Sequence, residues 1–275
     1  MSRLEEALKK ADEMRQEGKS RNISPAGQPQ PQPETKPPIA VRRPFIDIKA
    51  SEPEKINPLV ISLLAPFSPA AEEYKKLRTA VLRAMAARTD KTMLITSPEK
   101  GNGKSCTTAN LAVAVAATGL PVLLVDADLR RPTLHNYFGI ELKGGLSEYL
   151  AGEAGMEEII KSTGIGALSI ITAGAPPKNP SEMLSSEGMR HFISNLKTTH
   201  TGSLVMLDSS PLLNTAESVS LCQQVDGILL VIEAARTRPA AVKQSLNLLK
   251  GLPLMGTVLN NVPGYLSKIL HPYYY

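Results

Sequence analysis

Between Met93 and Leu111 the chain reads MLITSPEKGNGKSCTTANL, and this stretch narrows the choice of fold more than any other. A short apolar, β-prone run, Met93 to Thr96, enters a polar loop that closes on Gly103-Lys104-Ser105. An Ala-rich, helix-forming segment, Thr107 to Ala117, follows at once. Strand, glycine-bearing loop, Lys-Ser and helix is the order that a phosphate-binding loop requires. Successive backbone N–H groups and the helix N-terminus offer partial positive charge to a phosphate. In such loops the lysine, here Lys104, reaches the β- and γ-phosphates, and the hydroxyl, here of Ser105, coordinates Mg²⁺. The first glycine of G-x-x-x-x-G-K-[ST] would fall at Pro98, so the loop is degenerate and the remaining chain has to carry the assignment.

Further apolar runs recur at the spacing of a parallel sheet: Val122 to Asp126, Leu168 to Thr172, Ser203 to Asp208, Gly227 to Ile232, and Leu254 to Leu259 ending at Asn260-Asn261. Their continuous apolar character suits strands buried on both faces. Helical stretches lie between them. One spans Ser147 to Leu150. Another opens at Asn179-Pro180-Ser181 and carries Met189, Phe192, Ile193 and Leu196 on one face. A third, Pro239 to Lys250, is expected to bury Val242, Leu246 and Leu249. The alternation predicts an α/β fold with a doubly wound, mostly parallel sheet. Ligands of such sheets bind beyond the carboxyl ends of the strands. Asp126 and Asp128 stand at one such end, two apart and so on one side of an extended chain. There they either serve a metal-bound water or a proton, or cap the following turn. Asp208 closes a second strand and suits a group that holds a Mg²⁺ hydration shell.

The segments outside this core have their own character. Pro69 to Ala87 predicts a helix with Tyr74, Leu77, Val81 and Met85 on its buried side. Glu72, Lys75 and Arg78 line its exposed side, as a solvated face or a self-association surface. Residues 1–18 read as a short amphipathic helix, too short to be stable alone. It either docks on a partner or folds back on its own domain. Residues 19–58 form a flexible linker with nine prolines. The globular domain is assigned to 59–264 and a tail to 265–275. The tail ends in Tyr273-Tyr274-Tyr275, which either dock in a groove or accept a phosphoryl group. The 2 cysteines, Cys106 and Cys222, have neither metal-ligand spacing nor a disulfide framework. No run approaches the ~18 apolar residues of a membrane span, and the N-terminus is too charged for a secretory signal. A cytoplasmic chain is therefore expected. A net charge of +5 without an aromatic-and-Arg module does not point to nucleic acid.

Taken together, these motifs resemble the bacterial tyrosine autokinases (BY-kinases), and more narrowly their exosortase-associated and exopolysaccharide-biosynthesis branch. Thr96 to Ser105 matches the family's Walker A segment, and Asp126-Ala-Asp128-Leu-Arg130 its Walker A′ motif. Leu207-Asp208-Ser-Ser-Pro211 matches Walker B. Glu72-x-x-Lys75-x-x-Arg78 matches the E-x-x-R-x-x-R oligomerisation motif, with Lys75 where the first Arg stands. The resemblance implies a P-loop NTPase fold of the MinD/ParA type, with ATP and Mg²⁺. It implies that Gly101, Asn102, Gly103, Lys104, Ser105, Cys106 and Arg130 hold the nucleotide phosphates, with Asn260 at the adenine. Ser105, Asp126 and Asp208 would serve the metal. Lys104, Asp126, Asp128 and Asp208 would be catalytic, one of the Walker A′ pair as general base. Tyr273, Tyr274 and Tyr275 would be phosphorylated in trans within a ring built through Glu72, Lys75 and Arg78. The implied partners are a membrane-anchored polysaccharide chain-length or co-polymerase protein, which would hold the chain at the inner face of the membrane, and a cognate tyrosine phosphatase. The competing readings are a ParA/MinD-type ATPase and a nucleotide-binding scaffold of a membrane polysaccharide complex. The ATPase class carries a signature Lys five residues before the loop Lys, and here that position is Glu99.

Overall fold

The structure, a computed structural model, describes Ala50 and residues 52–86 and 91–263. The helix expected at 1–18, most of the linker and the tyrosine tail lie outside the described residues. Within them, β1 (Thr92–Thr96), β2 (Val122–Asp126), β3 (Ile160–Ile165), β4 (Leu168–Ile171), β5 (Leu204–Asp208), β6 (Gly227–Glu233) and β7 (Leu254–Asn260) form one sheet. Its order is β3-β4-β2-β5-β1-β6-β7, parallel throughout except for the pair β3–β4. This is the expected mostly parallel α/β sheet.

Strand residues sort by parity. Met93, Ile95, Leu124, Met206 and Leu229 join one apolar cluster, while Leu94, Leu123, Val125, Leu207 and Ile228 join another. Side chains alternate faces along a strand. Both faces are therefore dry, which is why the strand sequences are continuously apolar. Helices α1 (Ile61–Leu64), α2 (Pro69–Met85) and α3 (Lys104–Ala116) cover the first face. α2 starts cleanly because Ser68 Oγ accepts from the Ala71 N–H at 3.2 Å and Pro69 occupies the first helical position. α3 is buried along nearly its whole length between the sheet and α2.

Several local expectations change. The helix read from Asn179 onward is two: α7 (Pro180–Leu184) and α8 (Glu187–Thr199). Ser186 Oγ accepts from Met189 N at 3.2 Å and starts the second as a cap. Met189, Phe192, Ile193 and Leu196 of α8 are buried as one face, as expected, and pack on the other side of the sheet. Strand β3 has no apolar run to announce it, because it is a half-polar antiparallel edge strand reading IKSTGI. Helix α10 (Pro239–Leu248), which follows α4 (Leu134–Phe138), α5 (Leu146–Leu150), α6 (Met156–Ile159) and α9 (Ala216–Cys222), buries the expected face only in part: Leu249 is buried and Val242 half-buried, but Leu246 is not. Ala241 and Ser245 are buried, together with Leu249 just beyond its end, while Leu246 is 40% exposed. The helix buries its small-residue ridge and turns the larger Leu246 outward. Ala50, Ile56 and Val60, inside and just after the span read as linker, already pack on the first apolar cluster, and Asn57 N donates to Tyr137 O at 3.1 Å. Arg78, expected on the exposed side of α2, is half-buried and donates from Nη1 to Ala114 O of α3 at 3.2 Å. No helix among the described residues is long and apolar enough to cross a membrane.

The register fixes the site. Ile95 of β1 and Asp126 of β2 both pair with Asp208 of β5, so the three strands end level. The loops leaving β1, β2 and β5 therefore rim one crevice at the carboxyl edge of the sheet.

Candidate active site

The loop after β1 is shaped by its glycines and its polar side chains. Gly101 and Gly103 have φ of +86° and +85°, the left-handed region in which side chains are strained. A Cβ on Gly103 would fall 2.0 Å from Asn260 Nδ2. Asn102 Oδ1 accepts from Glu99 N at 3.0 Å, and Asn260 Nδ2 donates to Asn102 O at 3.1 Å. The far side of the loop is stitched to β5's exit through Leu212 N to Ser97 O at 2.9 Å. α3 then starts with Gly103 as its N-cap and without a side-chain cap. The first intrahelical bond is Thr107 N to Gly103 O at 2.9 Å, so the preceding N–H groups are left for an anion.

Beneath that helix end sits an acid cluster built from three strand exits. Lys104 Nζ lies 3.1 Å from Asp128 Oδ2, 3.4 Å from Asp208 Oδ2 and 3.0 Å from Ser105 Oγ. Ser105 Oγ donates to Asp208 Oδ2 at 2.5 Å, and Thr108 Oγ1 donates to Asp208 Oδ1 at 3.1 Å. Ser210 Oγ donates to Asp128 Oδ1 at 2.7 Å. Burial lowers the tendency of Lys104 to stay charged, but the Asp208 and Asp128 carboxylates outweigh it and raise its pKa. Burial raises the pKa of Asp208, with Lys104 and Ser105 opposing. Asp126 is raised by burial and by the charge of Asp208, its partner across the β2–β5 register.

The two Walker A′ aspartates have different surroundings. Asp126 Oδ2 accepts from Thr133 N and Leu134 N, both at 3.0 Å, and its Oδ1 accepts from Asp128 N at 3.2 Å. It organises the turn into α4, the capping alternative raised by the sequence. Asp128 lines a cavity of about 700 Å³ together with Lys104, Ser105, Cys106, Arg130 and Tyr137. Lys100 stands exposed among the same lining residues.

The sequence-derived residues thus fall into three groups. Lys104, Ser105, Asp126, Asp128 and Asp208 converge, and Gly101, Gly103, Cys106 and Arg130 line the cavity beside them. Asn260 meets the loop itself, its amide nitrogen bound to the Asn102 carbonyl. Glu72, Lys75 and Arg78 are elsewhere: Arg78 contacts Ala114, ten residues and so ~15 Å along α3 from Lys104. Lys75 pairs with Glu72 at 2.6 Å and lies over the Phe67 ring at 5.5 Å. Tyr273, Tyr274 and Tyr275 are outside the described residues. Sequence reasoning missed Thr108, Ser210, Tyr137, Ser181 and Glu217. Thr108 was findable, since residues four apart share a helix face. Ser210, two beyond Asp208, was findable because residues two apart share a side of an extended chain.

An uncapped helix end above a Lys and three carboxylates fits a nucleotide and a hard divalent cation. Among the described residues no three His, Cys, Asp or Glu side chains form a metal cage by themselves. That suits Mg²⁺, which takes one or two carboxylates and completes its shell with water and phosphate oxygens.

Residues 93–271 match the family model described as the CobQ/CobB/MinD/ParA nucleotide binding domain. The chain is 36% identical over 204 residues to the tyrosine-protein kinase YwqD of Bacillus subtilis (strain 168), covering 73% of this chain and 85% of that protein. Among solved structures, the kinase domain of Escherichia coli tyrosine kinase ETK aligns with a TM-score of 0.71 at 32% identity, over 74% of this chain and 80% of that one. The chimerical protein CapA2B2 aligns with a TM-score of 0.70 at 29% identity, over 79% and 94% of the two chains.

Proposed function

The chain belongs to the bacterial tyrosine-kinase branch of the CobQ/CobB/MinD/ParA nucleotide-binding family, and from that membership we propose that it is an ATP-dependent protein-tyrosine kinase acting on its own Tyr273, Tyr274 and Tyr275. The observation that carries the reading is the convergence of Lys104, Ser105, Asp128 and Asp208 under an uncapped helix N-terminus.

In this reading the N–H groups from Gly101 to Cys106 hold the phosphates, and Lys104 supplies positive charge to the group in transfer. Ser105 and Asp208 hold Mg²⁺, which when bound neutralises charge developing between the β- and γ-phosphates. Asp126 acts behind them by fixing the Walker A′ turn. A phenol with a pKa of ~10 is a poor nucleophile at neutral pH. Asp128, on the cavity wall, is the general base: it takes the phenolic proton as the phenol oxygen bonds to the γ-phosphorus. The bond from that phosphorus to the β–γ bridging oxygen breaks, and its electron pair leaves on ADP.

The tail reaches a neighbouring subunit's site within a ring joined through Glu72, Lys75 and Arg78. The contact of Arg78 with Ala114, ten residues along α3 from Lys104, supports a role for Arg78 in assembly and not in phosphate binding. The further proposals are control of exopolysaccharide polymerisation or export, a membrane-anchored co-polymerase partner holding the chain at the inner membrane face, and a cognate phosphatase. Position 99 supports the kinase over the ParA/MinD-type ATPase, since it carries a glutamate paired with Arg238 at 2.6 Å.

The test is incubation of the purified chain with ATP and Mg²⁺, with and without the partner's cytoplasmic segment, followed by mass-spectrometric mapping. Phosphotyrosine within 273–275 is expected, and its absence under both conditions would sink the proposal. Mixing Lys104→Met chains with chains lacking the tail should place phosphate on the former; no transfer under assembly conditions would refute the trans arrangement.

A further inference from the structure

Glu217 of α9 is a carboxylate that none of the phosphate-loop motifs includes, yet it is 1% exposed. Its Oε1 accepts from Arg130 Nε at 2.7 Å, and its Oε2 accepts from Ser181 Oγ of α7 at 2.9 Å. Ser181 Oγ accepts in turn from Arg130 Nη2 at 2.7 Å. The three side chains close a ring of hydrogen bonds joining the loop after β2 to α7 and α9. Burial favours the neutral acid, but Arg130, the residue's own N–H and Ser181 outweigh it and hold Glu217 below the usual carboxylate range. A buried carboxylate is costly unless it is paired and hydrogen-bonded, so Glu217 keeps the half-exposed Arg130 side chain tied at Nε.

Arg130 also lines the cavity that holds Lys104 and Asp128, which it enters from the β2 loop and not from the phosphate loop. A guanidinium has five N–H donors in a rigid fork. Among the described residues, hydrogen bonds engage Nε and Nη2 and leave Nη1 for an anion.

We propose that Glu217 is a positioning residue: with Ser181 it holds Arg130 as a clamp for the terminal phosphate, so that the site distinguishes a nucleoside triphosphate from a diphosphate. This rests on reading the cavity as a nucleotide site. The α3 N-terminus and Lys104 grip the phosphates from the loop side. Arg130 meets them from another strand end, where an additional phosphate would lie. Glu217 itself touches no phosphate; its effect passes through Arg130.

The experiment is calorimetric titration of the full chain with the Mg²⁺ complexes of adenylyl imidodiphosphate and of ADP, for wild type, Glu217→Gln, Arg130→Ala and the double variant. Glu217→Gln is expected to lose about tenfold in affinity for the triphosphate analogue, as expected for a weakened charge-assisted hydrogen bond, with ADP within about twofold. Arg130→Ala should lose at least as much, and the double variant should bind like Arg130→Ala alone. Should Glu217→Gln fail to fold, Ser181→Ala opens the same ring and reads the same ratio. An unchanged ratio in a folded variant, equal losses for both nucleotides, or additive losses in the double variant would each overturn the proposal. A chain that shows the ratio and its loss but phosphorylates no tyrosine would overturn the kinase reading and leave this one standing; binding of neither nucleotide would overturn both.

Discussion

Replacing Lys104 with methionine should destabilise the nucleotide-free chain by an amount that depends on pH. Among the described residues the ion pairs of Asp128 and Asp208 are both with Lys104, and the three side chains are 6%, 0% and 12% exposed. Methionine keeps the apolar stem but removes the charge, leaving buried carboxylates without a cation. Breaking a buried pair from one side costs about 3–5 kcal/mol, against a total stability of about 5–15 kcal/mol. At roughly 2–4 °C per kcal/mol for a domain of this size, Tm should fall by roughly 6–20 °C near pH 8. Burial, and for Asp126 also the charge of Asp208, already raises the carboxyl pKa values of Asp126 and Asp208, with Lys104 opposing. A carboxyl whose folded pKa is raised holds protons that the unfolded chain has released, so it destabilises above that pKa. The penalty fades as pH falls toward the ordinary value of 3.8. Removing Lys104 raises the folded pKa values further and enlarges the penalty at high pH. The deficit of the variant should therefore be full near pH 8 and smaller near pH ~5. Urea denaturation followed by circular dichroism at both pH values and constant ionic strength measures it. Wild-type stability at pH 8, or a deficit that is the same at both pH values, would refute the reasoning.

Four other outcomes follow from local geometry. Gly103→Ala forces a side chain into φ +85° with its Cβ 2.0 Å from Asn260 Nδ2; it should cost at least ~1–2 kcal/mol of stability and weaken nucleotide binding in calorimetry, and adding Asn260→Ala should recover part of the stability only. Asp126→Asn should lower Tm by the equivalent of about 1–3 kcal/mol, because one amide oxygen cannot serve three backbone donors. Asp128→Asn should instead lose ~10²-fold or more in phosphotransfer rate with nucleotide affinity retained. Glu148 joins two loops by accepting from Gly145 N at 2.8 Å, Ala175 N at 3.0 Å and Ser147 Oγ at 3.0 Å. Burial opposes its charge, yet these donors hold its pKa down to about 2. Its stabilisation is present above the ordinary value of 4.5 and is lost as pH falls toward about 2, so thermal unfolding of Glu148→Gln between pH ~5 and ~2 should show a flatter acid limb than wild type.

The strands and the phosphate loop were legible because their signals are local. A run such as Val122 to Asp126 can be continuously apolar only if both faces are buried, and the parity split of the two apolar clusters confirms that cause. The convergence of Lys104, Asp128 and Asp208 was legible through strand ends, since residues closing parallel strands must meet at one edge. Glu217 was not, because nothing in its own segment marks a glutamate that is buried by contacts made 87 residues away in sequence. The distinction between Asp126 and Asp128 was hidden for a related reason. Their spacing places them on one side, but the bonds from Thr133 and Leu134 that occupy Asp126 depend on how the next turn folds. The burial of Leu246 failed on a narrower point: apolar spacing alone did not show that α10 would set the ridge of Ala241 and Ser245 against the body.

Charge balance links this architecture to the proposed chemistry. Lys104 and Ser105 both hold Asp208, so the two groups proposed to serve phosphate and metal share one carboxylate. Lys104 can turn its charge to a phosphate at low cost only if another cation takes its place at Asp208, because a buried carboxylate left alone is expensive. A phosphate without that cation would instead add negative charge beside Asp128 and Asp208. In the proposed chemistry the site would therefore couple its anion to its cation through Lys104, at the edge where β1, β2 and β5 end. The register that brings Asp126 level with Asp208 places the two carboxyl groups close enough for the charge of Asp208 to raise the pKa of Asp126.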